Sequence, residues 1–249
     1  MNSKPCLLSV CIIASNAQEE IQRVLHSVGG WTDEIILLLN DSSDSTAELA
    51  TTLGAKIHYA EWTGYRDQKN KALALCQGEW ILSLDSDEVV TPELKKNILE
   101  FIKKSGSHNA ARFSRKVWFM DRWILHGVWY PDYCTRLFKN GHASWTGEQV
   151  HEKIQVNGSI RTIKGDLEHY TYRTLNHQMF KMIEYSDIFA MAQLSSKSNG
   201  MIILRAIWAF IRHYFIKLGF LDGFPGFYIG VIVLQYTLMK YSKCRYRKL

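Results

Sequence analysis

Two carboxylates, Asp85 and Asp87, stand one residue apart in the run Trp-Ile-Leu-Ser-Leu-Asp-Ser-Asp-Glu (80–88). Where a chain leaves a buried strand, residues i and i+2 can send both carboxylates to one side. Hard oxygen ligands placed like that suit Mg²⁺ or Mn²⁺, which fills its remaining positions with water and a ligand's phosphate oxygens. Two other apolar runs also end in polar clusters, Ser15-Asn16 and Asn40 to Ser45. No G-x-G-x-x-G follows the first run and no G-x-x-x-x-G-K-[ST] occurs anywhere, so dinucleotide and P-loop readings lack their phosphate cradle.

The elements that must position these residues follow from hydrophobic patterning. Residues 7–14, 34–39 and 80–84 are short apolar runs rich in branched side chains, the pattern of strands buried on both faces. Residues 56–60 make a further short strand. Helices are expected over Gln18–Val28, Thr46–Leu53 and Gln68–Cys76, with another opening at Thr91-Pro92-Glu93, where proline's missing N–H is no loss. This alternation predicts an α/β half, 1–104, with a mainly parallel sheet. Such sheets bind ligands at the carboxyl ends of their strands, so the three polar clusters are expected to converge on one site.

Residues 105–195 read differently, as short strands (111–119, 135–138, 153–156, 159–163) among aromatic loops, followed by a helix over Leu175–Gln193. Trp129, Tyr130, Asp132 and Arg136 fall in this half, where rings and polar groups could line a cleft for a sugar. Lys69 and Arg66 are cations that could meet a diphosphate. His126 and His151 are read as structural.

The chain has 249 residues, 47% of them hydrophobic and 22% charged, enough for a sizeable core and too apolar for disorder. Five cysteines with no C-x-x-C pair argue against a disulfide framework or a cysteine zinc site. The first residues carry no secretory-peptide pattern. The net charge of +6 is concentrated at one end: nine basic side chains from Lys197 to Lys248 face the single acid Asp222. That asymmetry disfavours a nucleic-acid surface spread over the fold and favours a membrane face.

Residues 196–249 therefore form an expected membrane-associating tail beside a body of residues 1–195. On a helix over 201–220, Arg205, Arg212, His213 and Lys217 fall within roughly 140° of arc, with apolar residues opposite, the form of an interfacial anchor. Residues 223–239 are 17 uncharged positions containing Pro225 and three glycines, short of the roughly 20 a span needs, so an interfacial or re-entrant segment is expected.

The motifs, taken together, resemble a known family. Residues 8–14 with Ser15-Asn16 and Glu19-Glu20, the run Asp-Glu-Ile-Ile-Leu-Leu-Leu-Asn-Asp-Ser-Ser-Asp-Ser-Thr (33–46), Gln68-Lys69-Asn70 and the run at 80–88 are similar to family 2 inverting glycosyltransferases of the GT-A fold. Residues 122–132, 136–138, 150–152, 169–173 and 219–223 resemble the lipopolysaccharide core β-1,4-glucosyltransferase subfamily. The resemblance covers nearly the whole chain. It implies a nucleotide-sugar donor, usually UDP-linked, held by Ser15, Asn16, Glu19, Asn40, Asp41, Lys69 and Asp85. It further implies Asp87 on a Mn²⁺ or Mg²⁺ ion, Asp85 on the metal or the ribose, and Asn40-Asp41 reading base or ribose. The acidic residue usual at the end of the second strand is displaced here to Asp41.

Inverting transfer is a single displacement, so a base must take the acceptor hydroxyl's proton, while a metal offsets the charge of the departing diphosphate. Glu148 and Glu152 are the acceptor-half carboxylates, and the resemblance favours Glu152. His169 is a further candidate ligand, since imidazole suits Mn²⁺ better than Mg²⁺. The expected activity is transfer of a hexose, glucose from UDP-glucose, to a heptose of the lipopolysaccharide inner core. The expected location is the cytoplasmic face of a Gram-negative inner membrane. The alternatives are an undecaprenyl-linked or capsule acceptor, and a nucleotide-sugar-binding membrane scaffold without turnover.

Overall fold

A computed structural model describes residues 7–147, 152–172, 174–193 and 197–246. Contacts group the chain into two compact units, residues 1–115 with 133–169, and residues 116–132 with 170–249. The boundary expected near residue 195 thus falls inside the second unit.

The first unit alternates β1 (Leu8–Ala14), α1 (Gln18–Val28), β2 (Glu34–Leu39), α2 (Thr46–Thr52), β3 (Lys56–Tyr59), α3 (Tyr65–Leu75) and β4 (Trp80–Asp85). β5 (Glu88–Val90) and α4 (Pro92–Lys103) follow, then β6 (His108–Phe119), which continues into the second unit. β7 (Arg122–Ile124) pairs with β6 there, and β8 (Asp132–Lys139), β9 (Ala143–Thr146), β10 (Lys153–Val156) and β11 (Ser159–His169) complete the strands. The large sheet has the order β3-β2-β1-β4-β8-β6-β11-β5, and β9 with β10 forms a separate hairpin. β1 is parallel to both β2 and β4, whereas β8 returns antiparallel to β4.

The unbroken apolar runs reflect burial on both faces of this sheet. Val10, Ile12, Leu37, Leu39, Leu82 and Leu84 join Ile21, Val24 and Leu25 of α1 and Leu94 and Ile98 of α4. The alternate residues Cys11, Ile36, Leu38 and Ile81 instead meet Ala72 and Leu73 of α3, with Phe138 and Trp145. One strand with period-two side chains therefore feeds two cores. Thr91 caps α4 by accepting from the Leu94 N–H, with Pro92 at the first helical position. The short β5, read from sequence as part of a polar strand end, is set by its antiparallel pairing with β11, in which Glu88 opposes His169.

In the second unit α5 (Leu175–Ala192) and α6 (Asn199–Ile211) are followed by a π-turn (Arg212–Ile216), a 3₁₀ turn (Gly219–Asp222) and α7 (Gly223–Arg245). The helix expected over 201–220 is thus broken at Ile211. The widened π-turn shifts the angular register, and His213, expected on the exposed basic arc, is fully buried. Its Nδ1 accepts the Val128 N–H at 3.1 Å and its Nε2 donates to the Gly226 carbonyl at 2.8 Å, which requires the neutral ring. Burial lowers the His213 pKa, in keeping with that state, against smaller opposing effects of Gly226 and Asp222. Asp222 accepts from the backbone N–H groups of Leu125 and His126 and pairs with His126 Nδ1 at 2.8 Å.

Gly127, at φ +80°, lies where a Cβ would sit 2.2 Å from His213 Cε1, so only glycine fits. Pro225 does not interrupt α7, because it falls in the first turn, where no intrahelical partner is lost. Gly226 and Gly230 are close-approach points: a Cβ there would meet the Gly219 carbonyl and the Phe210 ring. Phe119, Ile124, Met182, Ile229 and Ile232 form the unit's core.

Residues 213–226 are therefore structural partners of 122–128 within one unit. A chain ended at residue 195 is expected to lose cooperative unfolding of this unit and to aggregate. Size-exclusion chromatography with a thermal melt checks this, and a monomeric truncation melting like the full chain would refute it.

Candidate active site

The carboxyl ends of β1, β2 and β4 open onto a cavity of about 940 Å³ in the first unit. Ser15, Asn40, Asp41 and Ser86 line it, as three converging strand ends require, together with Tyr59, Glu61, Trp62 and Tyr65. The Trp62 and Tyr65 rings meet edge-on with centroids 4.8 Å apart, and both are about half exposed. Such rings can stack on a planar base. Sequence reasoning missed this aromatic wall, although the run Tyr-Ala-Glu-Trp-Thr-Gly-Tyr directly after β3 carried the signal.

Asn40 and Asp41 both reach the cavity despite the displacement of the acidic residue, and Asp41 adopts φ +41° at the turn. Asn16 and Glu19 are not among the lining residues. Asn16, at φ +48°, donates its N–H to Ser42 Oγ and accepts the Ser43 N–H at 3.0 Å, so it stitches the two strand-end loops together. Glu19 is exposed in the first turn of α1.

Behind the cavity lies a compact set of charges. Asp85 receives Lys69 Nζ on Oδ1 at 2.8 Å and the Arg136 guanidinium on Oδ2. Lys69 also reaches Glu152 Oε1 at 2.9 Å. Arg136 and Arg115 converge on Glu88 Oε1 at 2.7 and 2.8 Å, and Glu88 Oε2 accepts the Asp85 N–H. Three cations thus balance three carboxylates. The Trp145 ring packs against Lys69 and Arg136, with centroid distances of 4.4 and 5.4 Å. Burial alone would raise the Asp85 carboxyl, but Arg136 and then Lys69 hold it well below the usual carboxylate range.

The Gln68-Lys69-Asn70 motif positions this set. Gln68 donates to the Ala60 and Glu61 carbonyls, fixing the cavity wall. Asn70 exchanges two hydrogen bonds with the Trp145 backbone, both 2.9 Å, and so pins β9 to α3. Lys69, between them, is buried and pairs with two carboxylates. Arg66 pairs with its neighbour Asp67.

Two further expected site residues belong to the same set. Arg136, expected in an acceptor cleft, is buried against Asp85 and Glu88, because β8 lies beside β4 and carries its side chain to that strand's end. Asp85, expected on the metal or the ribose, accepts Lys69 on one oxygen and Arg136 on the other. Asp87 instead lies with Oδ2 3.3 Å from His169 Nε2, an approach created by the β5–β11 pairing. The other ring nitrogen, His169 Nδ1, is buried without a hydrogen-bond partner.

Among the described residues no group of three or more His, Cys, Asp or Glu side chains could hold a metal. Asp87 and His169 are two converging side chains that could hold an ion whose other positions went to water and ligand oxygens. Glu148 and His151 lie outside the described residues. In the second unit, the Trp129 ring packs on Phe119 and Tyr172 with centroids 5.2 and 5.3 Å apart, Tyr130 precedes a cis Pro131, and Asp132 is half-buried.

A mainly parallel sheet with a cavity and a D-x-D pair at its strand ends is the arrangement of the GT-A fold, and comparison with known proteins agrees. The glycosyl transferase family 2 profile matches residues 9–219, and the chain belongs to that family. An uncharacterised glycosyltransferase of Rickettsia prowazekii is 31% identical over 96% of this chain and 86% of its own. The lipopolysaccharide core biosynthesis glycosyltransferase LpsC of Rhizobium meliloti is 24% identical over 95% of this chain and 91% of its own. Among solved structures, S. aureus TarS 1–349 in complex with UDP-GlcNAc superposes with a TM-score of 0.53 at 12% identity, covering 96% of this chain and 74% of that one. The protein is a glycosyltransferase.

Breaking a buried, hydrogen-bonded ion pair strands its partners, at a cost of about 3–5 kcal/mol. Arg136→Met is expected to lose stability on that scale in urea denaturation, since Asp85 and Glu88 both lose the guanidinium they share. Because the folded pKa of Asp85 lies below its unfolded value, its stabilisation is complete above about pH 4 and fades as pH falls further. Asp85→Asn is expected to flatten that acid-side slope, and an unchanged slope would remove Asp85 from the balance.

Proposed function

We propose that this glycosyltransferase is an inverting, Mn²⁺- or Mg²⁺-dependent enzyme that moves glucose, or a similar hexose, from a UDP-sugar to a heptose of the lipopolysaccharide inner core. It works at the cytoplasmic face of a bacterial inner membrane. The observation that carries the mechanism is Lys69: one ammonium touches both Asp85, next to the cavity residue Ser86, and Glu152. A carboxylate in the acceptor half therefore stands within one side chain of the donor carboxylate, where a base for single displacement is needed.

In this reading Asn40 and Asp41, with the Tyr59, Trp62 and Tyr65 wall, hold the nucleoside. Asp87 and His169 hold the ion, which when bound offsets the charge on the leaving diphosphate. Glu152 takes the proton of the acceptor hydroxyl. Asp85 orients Lys69 and Arg136 and thereby fixes Glu152 at the strand end. The lipopolysaccharide acceptor is supported by the similarity to LpsC, whose name states that pathway. The TarS complex, solved with UDP-GlcNAc, favours a UDP-linked donor and makes an N-acetylhexosamine the second sugar to test.

A thermal-shift panel of UDP-, GDP-, ADP- and CMP-sugars, with and without Mn²⁺, tests the donor site. A ligand at 100 times its Kd stabilises the native state by about 2.7 kcal/mol. The expected result is a Mn²⁺-dependent shift with one UDP-hexose that Asp87→Ala abolishes. Absence of any UDP-sugar shift would overturn the donor assignment. Glu152→Gln is expected to keep that shift while transfer to a heptose-containing acceptor falls by about 10²–10⁴-fold. Retained turnover would exclude Glu152 as the base, and binding without turnover in the wild type would favour the scaffold.

A further inference from the structure

Residues 199–246 expose an unusual surface. Soluble monomers seldom leave a contiguous apolar patch of more than a few hundred Å² uncovered. Yet along α6, the turns and the start of α7, Leu204, Trp208, Phe215, Ile216, Leu221 and Phe224 are all more than half exposed, Phe224 at 67%. The inward positions are few and spaced for packing: Ile202, Ala206, His213, Gly219, Pro225, Gly226 and Ile229. The bend is built into the backbone. Leu218 sits at φ +58°, a left-handed conformation that costs a non-glycine residue stability, with its side chain 46% exposed. The paired helical segments meet there at 71°, and no single described helix is long and apolar enough to cross a membrane. The strain serves to turn apolar side chains outward at a corner.

The charge around this corner selects its occupant. Arg205, Arg212 and Lys217 are exposed among the apolar residues. The one acid of the segment, Asp222, is 5% exposed and spent on His126 and two backbone N–H groups. The surface of residues 199–246 therefore presents cations without a single exposed carboxylate. Two copies brought face to face there would set cation against cation, whereas an anionic lipid surface supplies the missing charge.

We propose that the bent segment 203–227 is a monotopic wedge, with Leu204, Trp208, Phe215, Ile216, Leu221 and Phe224 seated in the acyl boundary of an anionic bilayer and Arg205, Arg212 and Lys217 at its headgroups. This deepens the membrane placement proposed above and rests on it for its setting, although its measurement requires neither sugar nor acceptor.

Flotation of the full-length protein with phosphatidylglycerol–phosphatidylethanolamine vesicles, against phosphatidylcholine vesicles, tests it. Binding is expected to the first and to be weak on the second. Leu204→Glu and Phe224→Glu, at exposed positions, are each expected to weaken partition by about tenfold or more. Replacing Arg205, Arg212 and Lys217 by Gln together is expected to weaken it on the order of 100-fold, at about 1 kcal/mol per charge. Equal binding to both lipids, or wild-type binding by both Glu variants, overturns the wedge. So does a lipid-free dimer in sedimentation that Phe224→Glu dissolves, since the face would then be a contact between copies. The UDP-sugar thermal shift of the wild type separates the two readings: vesicle binding without any such shift counts against the donor assignment alone.

Discussion

Asp85 ends a buried parallel strand with Lys69 on one oxygen and Arg136 on the other. That arrangement constrains everything around it. An ionised carboxylate at a strand end costs several kcal/mol of desolvation unless cations and hydrogen bonds offset it. The offsetting groups come from three other elements: Lys69 from α3, Arg136 from β8, and through Glu88 also Arg115 from β6. Each of these elements is also required by the sheet order, so the charge balance and the strand order specify one another. Glu152 then enters through Lys69, and Trp145 closes the set with its ring against both cations.

The consequence for chemistry is a division of labour within the D-x-D pair. Asp85 belongs to the electrostatic frame, while Asp87, two residues on, meets His169 across the β5–β11 pairing. The aromatic wall at Tyr59, Trp62 and Tyr65 is held in place by Gln68, one residue before the lysine that holds the frame. A single turn of α3 therefore ties the aromatic wall of the cavity to the carboxylate set.

The second unit applies the same logic with different groups. Loop 125–128 has backbone N–H groups with no strand to satisfy them. Asp222, the His213 ring and the Lys217 carbonyl accept them instead. Glycine at 127 and 226 lets those partners approach to distances a methyl group would forbid. Buried polar partners of that kind make the C-terminal segment integral to its unit, while its opposite side remains apolar and cationic.

The alternation of apolar runs and helical faces in the first hundred residues set the parallel sheet, since strands buried on both sides must read as unbroken apolar runs and must end in polar residues. α1, β2 and β10 fall where their patterns put them, and the D-x-D pair, Asn40-Asp41 and Ser15 could be read as strand-end residues because local spacing alone fixes that position. What patterning could not supply was partnership. Whether Lys69 faces solvent or two carboxylates, whether Arg136 meets sugar or Asp85, and whether His213 joins a basic arc or a buried backbone cradle depend on contacts between residues tens of positions apart. The break after Ile211 likewise required the tertiary context, since a helix widens to a π-turn when inward packing of His213 outweighs ideal register. Local periodicity determined the elements and where their chemistry-bearing ends lie. Only the folded chain decided which charge sits beside which, because electrostatic and packing energies depend on distance in space and leave no periodic trace in the sequence.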